Sequence, residues 1–237
     1  MLHTTRAIVL KTIRHGDRTV VLKAFTEQFG LRSYMVRAGG KGGVANAALQ
    51  ALNRLELVVN EHPERDIQNI LEMRVERPYS RVPYDPVRGA LLLFTQELLY
   101  KVLRGEAADP ELYCFLDEAV EAIDSAEDVR NYPLVLLVKL SGQLGFLPAI
   151  PGTEEDRFDL REGEFIQGAA RHGHTMGPVL SGHLAALLPI GFTNMPGPAI
   201  PASERRDLLD HLLLYYRMHI EGFGELRSPT VLHQVLG

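Results

Sequence analysis

Between Pro78 and Pro86 the apolar residues of this chain change their spacing, and that change constrains the fold more than any other feature. Upstream, short runs rich in Val, Ile and Leu recur with a period of about 2, the mark of strands with one face in a core. Downstream the period lengthens to about 3.6, that of amphipathic helices. Pro78, Pro83 and Pro86 interrupt either kind of element in the segment RPYSRVPYDP. The sequence therefore predicts an α+β chain, β-rich over residues 1–80 and helical over 81–237.

Five strands are predicted in the first part, at residues 6–11, 18–26, 31–37, 55–62 and 70–79, with turns at Gly16 and at residues 27–30. Five short strands are too few for a sandwich but can close a small barrel, either a five-stranded Greek-key barrel or an SH3-like one. The stretch AGGKGGVANAALQ carries Gly39, Gly40, Gly42 and Gly43 around Lys41 and predicts a sharply turning loop followed by one helical turn. It is not a phosphate-binding P-loop, because Lys41 is followed by Gly42 and Gly43 in the wrong order and no Ser or Thr hydroxyl is placed for Mg²⁺.

In the second part helices are predicted at residues 86–104, 110–124 and 131–145, the last apolar except at Lys139 and Gln143 and so central. Residues 146–180 have no sustained period and read as a small irregular insert with a hairpin turning at Glu162 and Gly163. Ser181 is expected to cap a short helix, Ser203 a long one over 201–223, and Ser228 with Pro229 to open a last one. Cys114 is the single cysteine; it is expected to be a small buried hydrophobe, and it excludes an intrachain disulfide and any cysteine-rich zinc site. No apolar run reaches the length of a membrane span, and the start MLHTTRAIVLK lacks the apolar stretch of a signal peptide, so a cytoplasmic protein is expected.

Catalytic patterns are missing: there is no Gly-x-Ser-x-Gly, no His-Glu-x-x-His and no Gly-x-Gly-x-x-Gly. His172, His174 and His183 form one metal-like constellation, with Asp156 or Glu164 as possible oxygen ligands; loop histidines are the simpler reading. The acidic run Glu154, Glu155, Asp156, Asp159, Glu162 and Glu164 reads as a solvated loop. No metal, no cofactor and no enzyme activity are expected.

Charge is distributed unevenly. Residues 1–60 hold nine Lys or Arg against three acids, a net of +6, whereas residues 81–237 carry a net of -9. A basic segment of domain size can touch phosphates even in an acidic protein, since counterion release depends on the contacts made. The candidates for phosphate contact are Arg14, Arg18, Lys23, Arg32, Arg37, Lys41 and Arg54, with Tyr34 the first choice as a base-stacking ring. Phe25 and Phe29 read equally well as stacking rings or as core. The competing reading is a protein-interaction scaffold whose helical body is the working part; a further one is an enzyme built on the insert.

The opening TRAIVLKTIRHGDRTVVLKAFTEQFGLRSYMVRAGGKG resembles the N-terminal signature of the RecO family of bacterial recombination mediators. LSGQLGFLPAI resembles that family's helix ending in Leu-Gly-Phe-x-Pro, and FDLREGEF with YYRMHIEGFGELRSPTVLHQVL resembles a Bacteroidetes-type branch of it. The resemblance implies an N-terminal OB-fold β-barrel, a helical domain, and a role in DNA repair and recombination in the cytoplasm, associated with the nucleoid. The implied partners are single- and double-stranded DNA, RecR, the acidic C-terminal tail of the single-stranded DNA-binding protein and, indirectly, RecA. Many members carry a four-cysteine zinc site after Leu-Gly-Phe-x-Pro; here Pro148 is followed by Ala149 and Ile150, and no cysteine lies downstream.

Overall fold

The computed structural model describes residues 2–37, 46–62, 64–103, 105, 107–168, 170–195 and 197–235. The chain divides into two compact units, one of Met1–Asp85 with Leu92–Asp124 and the other of Pro86–Leu91 with Ser125–Gly237.

In the first unit, β1 (Leu2–Arg14), β2 (Thr19–Thr26), β3 (Gly30–Arg37), β4 (Arg54–Asn60) and β5 (Ile67–Val75) close into a barrel in the order β1-β2-β3-β5-β4. Closure depends on the 13-residue β1, which pairs with β4 from Leu2 to Ile8 and with β2 from Ala7 to Arg14. The seam is a short parallel pairing of β3 with β5, from Ser33 opposite Ile67 to Met35 opposite Asn69. This is the OB arrangement, and it removes the SH3-like alternative. Gly30, at φ 64°, supplies the left-handed residue that brings β2 back into β3.

Val9, Leu22, Ala24, Tyr34, Leu55 and Leu57 fill the barrel. Alternation places Ile8 and Phe25, which pair directly, on the outer wall, yet both are fully buried. Helical residues of the same unit lie against that wall, in α1 (Pro86–Val102) and α2 (Pro110–Ser125). The Gln96 amide donates to the Leu10 carbonyl at 2.6 Å, and Arg6 lies over the Tyr113 ring at 5.1 Å. Burial on both faces explains why β2 reads TVVLKAFT, with Lys23 its only charged residue.

The segment between β5 and α1 is tied to α2 through Asp124. Its carboxylate accepts from the backbone N–H groups of Ser80, Arg81 and Val82 and from the Ser80 hydroxyl, all within 2.8–2.9 Å. Burial pushes the carboxyl up, but these donors outweigh it and hold its pKa at about 2. The folded value lies below the unfolded one, so its contribution is complete above about pH 4 and lost as pH falls through 2. Asp124→Asn is expected to cost about 2 kcal/mol at pH 7, with the gap between variant and parent urea midpoints closing towards pH 2. A constant gap across that range would refute the assignment.

The second unit contains α3 (Tyr132–Gln143), α4 (Pro178–Leu187), α5 (Ala202–His219) and α6 (Ser228–Val235). Every α3 residue from Tyr132 to Val138 is buried, as its apolar composition predicts. The insert is more regular than the sequence suggests: β6 (Arg157–Asp159) pairs with β7 (Glu164–Ile166) and also with β8 (Thr175–Met176), giving the order β7-β6-β8. A two-residue strand leaves no period to read. Phe158, Phe165 and Tyr215 pack edge to face beneath this sheet.

Two caps differ from expectation. Helix α4 starts at Pro178 after Gly177, so Ser181 is internal and its hydroxyl donates to the Met176 carbonyl at 3.3 Å. Helix α5 starts at Ala202 with Pro201 at the N-cap, which leaves Ser203 inside the first turn. Cys114 is exposed, not buried, because α2 buries Leu112, Tyr113, Leu116 and Val120 and position 114 faces away from them.

Candidate nucleic-acid interface

Strand register collects three of the predicted cations at one end of the barrel wall. Arg14 closes β1 opposite Val20, Arg18 precedes β2, and the next residue, Thr19, pairs with Arg37 at the end of β3. All three side chains belong to exposed residues, and none makes an ion pair among the described residues. Lys41, four residues beyond Arg37 in the glycine-rich loop, lies outside the described residues.

Elsewhere on the barrel strands, carboxylates neutralise the arginines, while Arg65 in the loop between β4 and β5 is exposed. Arg6 holds Glu27 through two hydrogen bonds of 3.0 and 2.6 Å, and Arg74 holds Glu56 through two of 2.7 Å. Arg32 is tied to Glu61 at 3.4 Å near the far end of β3 from Arg37. Bidentate pairing of this kind uses the fork that a phosphate would need.

Two candidates are removed by their burial. Arg54 is only 2% exposed; its guanidinium bonds Glu121 and lies 3.9 Å from Asp117 on α2, so it cannot reach a phosphate. The residue before the fourth strand reads as a loop cation in sequence, but β4 begins with it. Tyr34 is fully enclosed in the barrel, its hydroxyl donating to Glu61 at 3.0 Å. Burial and the adjacent Glu61 carboxylate push its phenol well above the ordinary value. Its ring belongs to the core and offers no face for a base. Phe25 is core as well, and Phe29 meets His3 edge to face at 5.2 Å.

Lys23 has a different setting. It pairs across the β1–β2 ladder with Lys11, and both ammonium groups lie over the ring of Tyr100 on α1, at 5.8 and 4.5 Å from its centroid. Neither Lys11 nor Tyr100 stands out in the sequence.

In the insert, His172 is engaged at both ring nitrogens. Nδ1 accepts from the His174 backbone N–H at 3.2 Å, so Nε2 carries the proton and donates to Asp159 at 2.9 Å. His183 bonds Glu204 across α4 and α5. No group of three or more His, Cys, Asp or Glu that could hold a metal occurs among the described residues. The first contact ties the loop before β8 to β6, and the second ties α4 to α5.

Two family models match the chain: Recombination protein O N terminal over residues 1–79 and Recombination protein O C terminal over residues 83–228. The chain belongs to the RecO family. A DNA repair protein RecO of Porphyromonas gingivalis is 32% identical over 98% of both chains. Proteins of the same name from Flavobacterium psychrophilum and Christiangramia forsetii are each 28% identical, over 98% and 100% of both chains respectively. The N-terminal RecO match falls on the barrel, and the C-terminal one begins just before α1 and runs to the first residue of α6.

This RecO-family chain also has an apolar groove in its second unit. Its floor is Pro133, Leu134, Leu209 and Leu232, and it is rimmed by Arg130, Arg205, Arg206 and His233. Burial and the neighbouring Arg130 and Arg206 charges lower the Arg205 pKa against the pull of Asp128. Of the rim groups, Arg130 is already held by Asp128, its Nε donating at 2.9 Å, and His233 lies 3.6 Å from Asp210, whereas Arg206 is exposed.

Proposed function

We propose that this chain is a non-enzymatic mediator of DNA repair and homologous recombination. It holds single- and double-stranded DNA by the phosphate backbone, anneals complementary strands, and with RecR helps load RecA onto DNA covered by single-stranded DNA-binding protein. The observation that carries the reading is the set of three exposed arginines, Arg14, Arg18 and Arg37, at one end of a barrel whose other strand arginines, Arg6, Arg32, Arg54 and Arg74, are engaged with acids. Backbone attachment without base stacking leaves the Watson–Crick edges free, which annealing requires.

The test is a titration of a labelled 30-nucleotide single strand, read by anisotropy at several salt concentrations. The expected result is micromolar or tighter binding that falls steeply with salt and ignores base sequence. Absence of binding at low salt would leave the barrel a docking module and favour the scaffold reading. Annealing is expected to proceed at the same rate with and without ATP, and an ATP requirement in pure protein would count against the proposal.

The groove between α3 and α5 suits the acidic tail of the single-stranded DNA-binding protein: its leucines can take an apolar side chain while the exposed Arg206 takes a carboxylate. Replacing the exposed Arg206 with alanine is expected to weaken binding of an acidic tail peptide about fivefold, by roughly 1 kcal/mol, while DNA affinity is retained. Equal losses for peptide and DNA would argue against separate sites.

A further inference from the structure

The pairing of Lys11 with Lys23 is unusual in a strand ladder. Two like charges directly opposite one another destabilise the sheet, and neither ammonium makes an ion pair among the described residues. The structure shows how they come to be there. The β1–β2 register shifts between Val9 and Lys11, a bulge at Leu10. Val9 faces the barrel interior and Leu10 is wholly buried, after which Lys11 emerges on the outer wall opposite Lys23. The Leu10 carbonyl is taken by the Gln96 side chain at 2.6 Å. Tyr100 is one helical turn beyond Gln96 on the same side of α1, so that hydrogen bond sets where its ring meets the wall. Both ammonium groups then lie over its ring, 4.5 and 5.8 Å from the centroid.

We propose that Lys11 and Lys23 form a seat for a backbone phosphate of DNA, with Tyr100 as the residue that positions them. The inference rests on the DNA-binding reading and deepens it. A phosphate between the two ammoniums converts a repulsive pair into an attractive triad, and the ring gives each cation a partner until the phosphate arrives. Along β1, Lys11 and Arg14 are three residues apart, about 10 Å, so the seat and the arginine cluster can serve different phosphates of one strand. Because the ring face is occupied by the ammoniums, Tyr100 does not stack on bases, in keeping with a strand held for pairing.

The test uses the full chain and the same 30-nucleotide strand. Lys11→Gln with Lys23→Gln removes one seated phosphate and is expected to reduce the magnitude of the salt slope by about 0.7 and to weaken binding about fivefold at 0.1 M salt, at about 0.7 per phosphate for a single strand. Tyr100→Leu, which keeps both charges, is expected to leave the slope intact and weaken binding about threefold, and Tyr100→Phe, which keeps the ring, to restore the parent affinity. Circular dichroism at the assay temperature establishes that each variant is folded. If the double lysine variant binds with the parent slope while alanine at Arg14, Arg18 and Arg37 lowers it, the phosphate seat is wrong and the DNA-binding reading stands. If Tyr100→Phe is as weak as Tyr100→Leu, the ring has no positioning role and that part of the proposal falls. If the parent protein does not bind the strand, both fall.

Discussion

Alanine at Arg14, Arg18 and Arg37 together is expected to weaken single-strand binding about 100-fold at 0.1 M salt and to reduce the magnitude of the salt slope by about 2. Each phosphate contact to a single strand releases about 0.7 of a counterion, so three contacts contribute about 2 to the slope and about two decades of affinity at that salt. The loss should be the same for strands of any base sequence, because no base edge is involved. Stability should barely change, since all three are exposed and without ion pairs among the described residues. A control comes from Arg74, also exposed but bound through both of its nitrogens to Glu56. Arg74→Ala should change the slope by less than one of the three single variants does. If the four single variants lost equal amounts, general positive charge would be responsible and the clustering would have no special role.

The barrel was legible in the sequence because one face of each strand is apolar at every second residue. Four of the five predicted strands overlap the observed ones closely, but the first is predicted at residues 6–11 and runs from Leu2 to Arg14. Its ends, His3, Thr4, Thr12 and Arg14, are polar because they pair at the rim of the closed sheet where water reaches them. The bulge at Leu10 is also invisible in sequence, since it swaps the exposed and buried faces partway along a strand without glycine to mark it. Lys11 and Tyr100 were missed for that reason: their juxtaposition depends on a register shift and on one side-chain hydrogen bond from a helix 86 residues away.

The site was legible as charge and illegible as pairing. Composition puts nine bases in residues 1–60, but it cannot say that Glu27, Glu56 and Glu61 lie within reach of Arg6, Arg74 and Arg32. Those partners are 18 to 29 residues apart and meet only once strands close. Tyr34 failed as a stacking ring through the same cause. On an isolated strand its face is ambiguous, and only the closed barrel with Glu61 to receive its hydroxyl makes the interior the better place for it.

Arg54 gives the sharpest separation between holding the fold and holding DNA. Its guanidinium is buried against α2, where Glu121 and Asp117 receive it and Tyr79 lies over it at 5.8 Å. Arg54→Ala should destabilise the protein by about 3 kcal/mol, at the lower end for a broken buried ion pair, because Glu121 is 42% exposed and can turn to water. The thermal midpoint should fall by roughly 10 °C. Arg54→Met, which fills the space without charge, should cost about 1 kcal/mol, since Asp117 keeps Arg77 at 2.6 Å as its partner. Both variants, assayed below their melting range, should bind single-stranded DNA with the parent salt slope. The contrast with the exposed arginines is then complete: one class moves the slope and spares the fold, the other moves the midpoint and spares the slope. An Arg54→Met protein that is stable but has lost a full phosphate contact would mean that the guanidinium leaves its carboxylates to reach DNA.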